Sequence, residues 1–160
     1  MPQSRGTQSG ETPASKDRLR LWLRLLRASR TIEVEVRERL RLAHGVTLPQ
    51  FDVMAALHRS GGPVSMSEIS RFLMVSNGNV TGIVGRLVAD GQVVRVPVEG
   101  DRRAMLVRLT AKGREVFAGL AGNHEDWINQ MLGGIDGARA VDLATELRGI
   151  TSFIDEEPDT

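Results

Sequence analysis

The sequence contains no cysteine, no tyrosine and only three histidines, and aromatic residues make up 4% of it. Without cysteine there is no disulfide framework, no thiolate metal site and no thiol redox chemistry. The histidines, His44, His58 and His124, are scattered, and neither a His-Glu-x-x-His zinc pattern nor a glycine-rich phosphate loop is present. Glu125 and Asp126 are adjacent carboxylates, but neighbours on a helix point in different directions and do not converge on a substrate. The expectation is a protein that is not an enzyme, with no catalytic residues, no metal and no cofactor. No apolar run approaches the roughly 18 to 20 residues that cross a bilayer, and the polar N-terminus lacks the apolar stretch of a signal peptide. No membrane partner is expected, and the expected location is cytoplasmic.

What is present is ordinary in bulk and uneven in distribution. The 160 residues are 41% hydrophobic and 26% charged, the profile of one globular domain with a sizeable core. The net charge of +1 is a sum over two unlike parts. Residues 1–110 carry 17 Lys and Arg against 10 Asp and Glu, or +7, and residues 111–160 carry 4 against 10, or −6. Such a split suits a polyanion-facing first part and an acidic remainder that stays away from it.

The pattern predicts a mainly α fold with a small β-hairpin. Residues 1–16, rich in Ser, Thr, Gly, Pro and Gln, read as a disordered arm. From Asp17 to Ala43 there is no Pro or Gly, and Leu19, Trp22, Leu23, Leu26, Ile32, Val36 and Leu40 recur at helical spacing up to a stop at His44-Gly45. Thr47-Leu48-Pro49-Gln50 forms a capping box that opens a second helix, which Gly61-Gly62-Pro63 ends. Ser65-Met66-Ser67-Glu68 is another capping box, before a short helix with Ile69, Phe72 and Leu73. After a break at Met74-Val75, Ser76 caps a helix whose Val80, Ile83, Val84, Leu87 and Val88 lie on one face, up to Gly91. Short helix, tight joint and second helix make a helix-turn-helix pattern. Beyond it the period becomes alternating: Val94 and Val96 on one strand, Leu106–Leu109 on the next, with Glu99-Gly100-Asp101-Arg102 as the turn. Thr110 caps a long helix bearing Phe117, Leu120, Ala121, His124, Ile128 and Met131, and Asp136 caps a last one with Val141, Ala144, Leu147, Ile150 and Ile154. The terminal helices carry more apolar surface than the small central unit needs, which suggests a homodimer.

The central segment is where chemistry is legible. A helix that enters a major groove needs polar side chains on its first turns and an apolar back. Asn77, Asn79, Thr81 and Arg86, against Val80, Ile83, Val84 and Leu87, provide both. Asn pairs with adenine, Thr meets a phosphate or a thymine methyl, and Arg reaches guanine or phosphate. Gly78, Gly82 and Gly85 lie on or near the same polar face, each at a cost of about 1 kcal/mol relative to Ala. Close approach of the backbone to DNA and close packing inside the domain both account for them. In the hairpin, Arg102 and Arg103 are placed to enter a narrow minor groove, with Asp101 orienting one of them. The candidate DNA-contacting set is Ser65 and Ser76 at two helix starts, then Asn77, Asn79, Thr81, Arg86, Asp101, Arg102 and Arg103.

Phe51-Asp52-Val53-Met54-Ala55-Ala56-Leu57, Ser76 through Leu87, Asp90-Gly91, Val94-Arg95, Asp101-Arg102-Arg103-Ala104 and Val107-Arg108-Leu109-Thr110-Ala111-Lys112-Gly113 together resemble the MarR family of winged helix-turn-helix regulators. The resemblance spans residues 18–155 and is most specific in the wing and the Leu-Thr-x-x-Gly that follows. It implies a dimerisation helix at residues 17–46, a winged helix-turn-helix at 47–110 and C-terminal dimerisation helices at 111–157. It also implies double-stranded DNA and a second copy as partners, and a repressor released from a pseudo-palindromic operator by a small ligand. Arg103 would be the wing residue in the minor groove, and residues 76–91 the recognition helix. Gly82 and Gly85 depart from the basic and acidic residues common at those positions. The Asn77–Gly82 run is similar to a branch that controls aromatic-acid catabolism, including sensors of hydroxycinnamoyl-CoA thioesters, so an aromatic acid or aroyl-CoA is the expected effector. Effectors in the family often sit between the dimerising helices and the DNA-binding lobe. That makes Trp22, Arg24, Arg27, His44 and His58 ligand candidates, with Arg20 and Arg30 as further phosphate contacts for CoA. The competing expectation is a winged-helix protein-interaction module without sequence-specific DNA binding.

Overall fold

A computed structural model describes residues 13–156, with the side chains of 102, 103 and 153–156 outside that description. The elements are α1 (Pro13–His44), α2 (Leu48–Ser60), β1 (Val64–Ser65), α3 (Met66–Leu73), α4 (Asn77–Ala89), β2 (Val93–Val98), β3 (Asp101–Leu109), α5 (Ala111–Met131) and α6 (Gly137–Glu156). The fold is mainly α with a small antiparallel sheet, a winged helix-turn-helix flanked by long terminal helices.

Local chemistry sets most of the boundaries. Thr47 and Gln50 close the capping box of α2, and Ser65 and Glu68 that of α3, each satisfying backbone donors at the helix start. Ser76 and Thr110 cap α4 and α5 through Asn79 N–H and Gly113 N–H. Gly45, Gly61, Gly91 and Gly100 take positive φ at the turns. Met74 does the same at φ 54°, ending α3 so that α4 can start three residues later.

Three boundaries differ from the sequence expectation. The first helix begins at Pro13, inside the segment read as an arm, because Pro is at ease on a helix start; residues 1–12 lie outside the described ones. The sheet has three strands, in the order β1-β3-β2, since Val64 and Ser65 pair with Val107 and Leu106. The hairpin turn is only Glu99-Gly100: Val98 pairs with Asp101, so Asp101, Arg102 and Arg103 belong to β3 and not to the turn tip. Gly100 at φ 85° allows so short a reversal. Pro97, which has no N–H to donate, is tolerated because β2 is an edge strand, and the register is irregular beside it.

One core holds the central unit together. Val36 and Leu40 of α1, Phe51, Met54 and Leu57 of α2, Ile69 of α3, Val80, Val84 and Leu87 of α4, Val107 of β3 and Phe117 and Leu120 of α5 are all buried in it. The terminal helices are different. The first two turns' worth of apolar residues on α1, Leu19, Trp22 and Leu23, are more than half exposed, and every described side chain of α6 is exposed, Val141, Leu147 and Ile150 included.

The junction between wing and α5 is tightly fastened. Thr110 N–H donates to Gln92 O at 3.0 Å, its hydroxyl to Gly91 O at 2.7 Å, and Lys112 Nζ to Asp90 O at 2.8 Å. A Cβ on Gly113 would lie 1.9 Å from Gln92 O, so only glycine fits. The Leu-Thr-x-x-Gly signature is thus a clasp that fastens the start of α5 to the end of α4.

Candidate nucleic-acid interface

The outer face of α4 is polar. Val80, Val84 and Leu87 hold the back of α4 in the core, which turns Asn77, Asn79, Thr81 and Arg86 to solvent. At the N-terminus the unpaired amides and helix dipole favour an anion such as a phosphate. Thr81 donates its hydroxyl to Asn77 O at 2.9 Å, so its methyl group is what it offers outward. Arg86 is loosely paired with Asp90 at 3.5 Å and stays mostly in water. Ser76 accepts from Asn79 N–H at 3.4 Å. Ser65 is more fully committed: its hydroxyl donates to Glu68 Oε2 at 2.8 Å and accepts from Glu68 N–H at 3.2 Å. The Ser65 backbone and hydroxyl hydrogen bonds hold the Glu68 carboxyl below the usual range.

The two explanations for the glycines of α4 can now be separated at two positions. A Cβ on Gly78 or Gly82 would meet nothing within 4 Å, so packing inside the domain does not require glycine there. At Gly85 a Cβ would meet the guanidinium of Arg95 at 3.9 Å, an ordinary contact. Arg95 is a residue that sequence reasoning left out of the site. It is exposed on β2 with its guanidinium alongside α4, extending the basic surface from helix to wing. The packing of β2 on α4 brings it there. Asp101 is exposed at the start of β3, and Arg102 and Arg103 follow it in that strand, with side chains outside the described residues.

The ligand candidates do not converge. Trp22 and Arg24 are exposed on α1, His44 bonds Asn123 Nδ2 at 2.8 Å, and His58 lies on Phe117 with ring centroids 4.9 Å apart. Arg27 borders a groove of about 900 Å³ along α1 that also has Arg30, Arg39, Ile32, Val34 and Met131 on its walls. Arg39 is engaged by Glu35 at 2.7 Å and by Gln130 at 3.0 Å, whereas Arg27 and Arg30 have no ion-pair partner among the described residues. A second cavity, of about 1130 Å³, opens on another side of α1 and is lined in part by Asp52 and His124, which sequence reasoning did not select. Among the described residues no group of three or more His, Cys, Asp or Glu could hold a metal ion, and no helix is long and apolar enough to cross a membrane.

Comparison with known proteins agrees with this architecture. A sequence profile of the MarR family matches residues 44–104. The transcriptional activatory protein BadR of Rhodopseudomonas palustris is 44% identical over 81 residues, 49% of this chain and 46% of BadR. Matches of this kind span about half the length of the curated relatives. Among solved structures, BpsR of Bordetella bronchiseptica, whose DNA binding is regulated by 6-hydroxynicotinic acid, aligns with a TM-score of 0.72 at 25% identity over 82% of this chain and 98% of its own. A MarR family transcriptional regulator from Silicibacter pomeroyi aligns with a TM-score of 0.73 at 30% identity, covering 90% of this chain and 99% of that one. At 30% identity over nearly the whole of that regulator, and with the family profile on its central segment, this chain belongs to the MarR family of transcriptional regulators.

Proposed function

We propose that the protein is a homodimeric, ligand-responsive repressor that reads a pseudo-palindromic DNA operator. The single observation that carries the reading is α4: a polar outer face with two glycines that nothing inside the domain requires, on a helix anchored by a buried apolar back. Two such helices in successive major grooves, with the wings in the flanking minor grooves, account for that face. Asn77 and Asn79 would read base edges, the Thr81 methyl a thymine, and Arg86 and Arg95 phosphate or guanine. Arg103, with Asp101 beside it in β3, would enter the minor groove. The second copy is supported by α6, whose exposed Val141, Leu147 and Ile150 need cover in water, and by the exposed Leu19, Trp22 and Leu23 of α1. The basic start of α1 and the acidic C-terminal region are complementary in sign.

The proposed effector is an aromatic acid or its CoA thioester. The regulation of BpsR by 6-hydroxynicotinic acid supports the class. The groove along α1 supplies the matching chemistry, with Arg27 and Arg30 for the anionic head and Ile32, Val34 and Met131 for the ring. Binding there would bias the separation of the two DNA-binding lobes. The test is a gel shift on the DNA upstream of the protein's own gene, with and without aromatic acids and their thioesters. The reading expects a specific complex that the effector dissolves and that Arg103→Ala weakens clearly. No shift at physiological salt would defeat it.

A further inference from the structure

Arg95 stands where α4 and the wing meet. The register of the sheet pairs it with Val107 and pairs Val93 with Leu109, so Arg95 shares the face that carries those buried residues into the core. It lies one pair further out, beyond the edge of the core, and is exposed. Its guanidinium overhangs α4: Nη2 is 3.9 Å from the place that a Cβ on Gly85 would take. A carboxylate at position 85 would be within reach of that charge and would neutralise it, whereas glycine leaves it available. Arg95 makes no hydrogen bond or ion pair among the described residues, while Arg86, on α4 itself, shares its charge with Asp90 at 3.5 Å. Toward the wing tip the same face continues with Pro97 and Met105, which are uncharged.

This placement decides between the two contacts that an arginine can make on DNA. With α4 in a major groove and the wing in the flanking minor groove, one sugar-phosphate strand separates the grooves and runs through the space between helix and wing. Base edges lie in front of the first turns of α4, where Asn77 and Asn79 are, and Gly85 is about two turns further along the helix. An unpaired guanidinium over Gly85 therefore faces phosphate oxygens and not bases, and it holds them by charge-assisted, bidentate hydrogen bonds. We infer that Arg95 clamps the phosphodiester strand between the two grooves, setting the register of helix and wing on the duplex and adding affinity without sequence preference. The inference rests on the operator reading and narrows it, since a guanine contact would make Arg95 a sequence reader instead.

The test uses the full chain and two labelled duplexes of equal length, one from the DNA upstream of the protein's own gene and one with that sequence scrambled. Affinity for each is measured by fluorescence anisotropy across a range of salt concentrations. Arg95→Gln keeps the stem against α4 and removes the charge. It is expected to weaken binding of both duplexes by about tenfold. The slope of log affinity against log salt becomes shallower by about 2, since each of two protomers gives up one phosphate at about 0.9 per contact. Arg95→Lys, a point charge in the same place, is expected to restore most of the slope. Arg108 pairs with Val94 and so lies on the opposite face of the sheet; Arg108→Gln removes the same charge there and is expected to change both affinities by less than about twofold. Circular dichroism and the thermal transition of each variant should match the parent's. A slope that Arg95→Gln leaves as steep as before overturns the inference alone. So does a loss of at least about fivefold in the ratio of the two affinities, which marks a base contact, or an equal loss from Arg108→Gln, which marks net charge only. A parent chain that binds neither duplex defeats the operator reading and the inference with it.

Discussion

Replacing Gly82 by alanine should move stability and DNA affinity in opposite directions. Gly82 is in the interior of α4, its φ is not positive, and an added Cβ meets nothing within 4 Å. The helix therefore keeps the full propensity gain of Ala over Gly, about 1 kcal/mol per protomer. In a domain of this size that raises the thermal midpoint by about 2–4 °C. On the outer face the same methyl stands about 1.5 Å proud of the backbone, one carbon–carbon bond. At i, i+3 and i+7 spacing it comes between Asn79 and Arg86, where the helix must approach base edges. The resemblance puts a basic side chain at this position in other members. The loss expected here therefore comes from a closer backbone approach of this chain's own α4, which a methyl would hold off, weakening operator binding by about tenfold, or 1.4 kcal/mol. Differential scanning fluorimetry reads the first effect and fluorescence anisotropy with labelled operator the second. Gly119→Ala is the control, since that glycine of α5 also has open space around it and lies off the DNA-reading helix. It should stabilise the protein similarly and leave DNA binding alone. If Gly82→Ala stabilises the protein and binds operator as tightly as before, the face of α4 is not the docked surface and the reasoning fails.

Other perturbations have equally definite signs. Gly113→Ala forces a methyl into Gln92 O and should destabilise the protein by about 2–3 kcal/mol in a denaturant titration. Asp52→Asn should raise stability near neutral pH. A carboxyl whose folded pKa is raised contributes stability below its unfolded value and loses it as pH rises through the folded one, so the variant's advantage should vanish in acid; melting curves across pH would show it, and a pH-independent difference would contradict it. Leu147→Asp puts a charge on the exposed apolar stripe of α6 and should yield monomer, by analytical ultracentrifugation, at concentrations where the parent is dimeric.

Much of this architecture is written locally and could be read before any coordinates. The pairs Thr47 with Gln50 and Ser65 with Glu68 act over three residues, and Gly45, Gly61, Gly91 and Gly100 act at single positions, so helix starts and turns were legible. Features that depend on distant partners were not. The strand Val64–Ser65 exists only because Val107 lies opposite, far along the chain, and two residues carry no periodicity. Arg95 joins the DNA-facing surface through the packing of β2 on α4, and Asp52 meets the cavity through the meeting of α1, α2 and α5. The ligand candidates Trp22, Arg24, His44 and His58 rest on the cleft that the resemblance implies, and which residues share a wall of such a cleft depends on contacts between distant elements. In the wing, Asp101 and Arg102 look like turn residues, but Gly100 completes the reversal and returns them to the strand.

The split of charge, +7 over residues 1–110 and −6 over the rest, bears directly on the central claim of DNA binding. The measurement is the operator affinity of the intact protein across a range of salt concentrations. Two helices and two wings that neutralise about six or more phosphates should give a slope of log affinity against log salt of about −5 or steeper. A slope near zero would mean that the basic face does not meet the phosphate backbone, and would favour a protein partner for α4 instead.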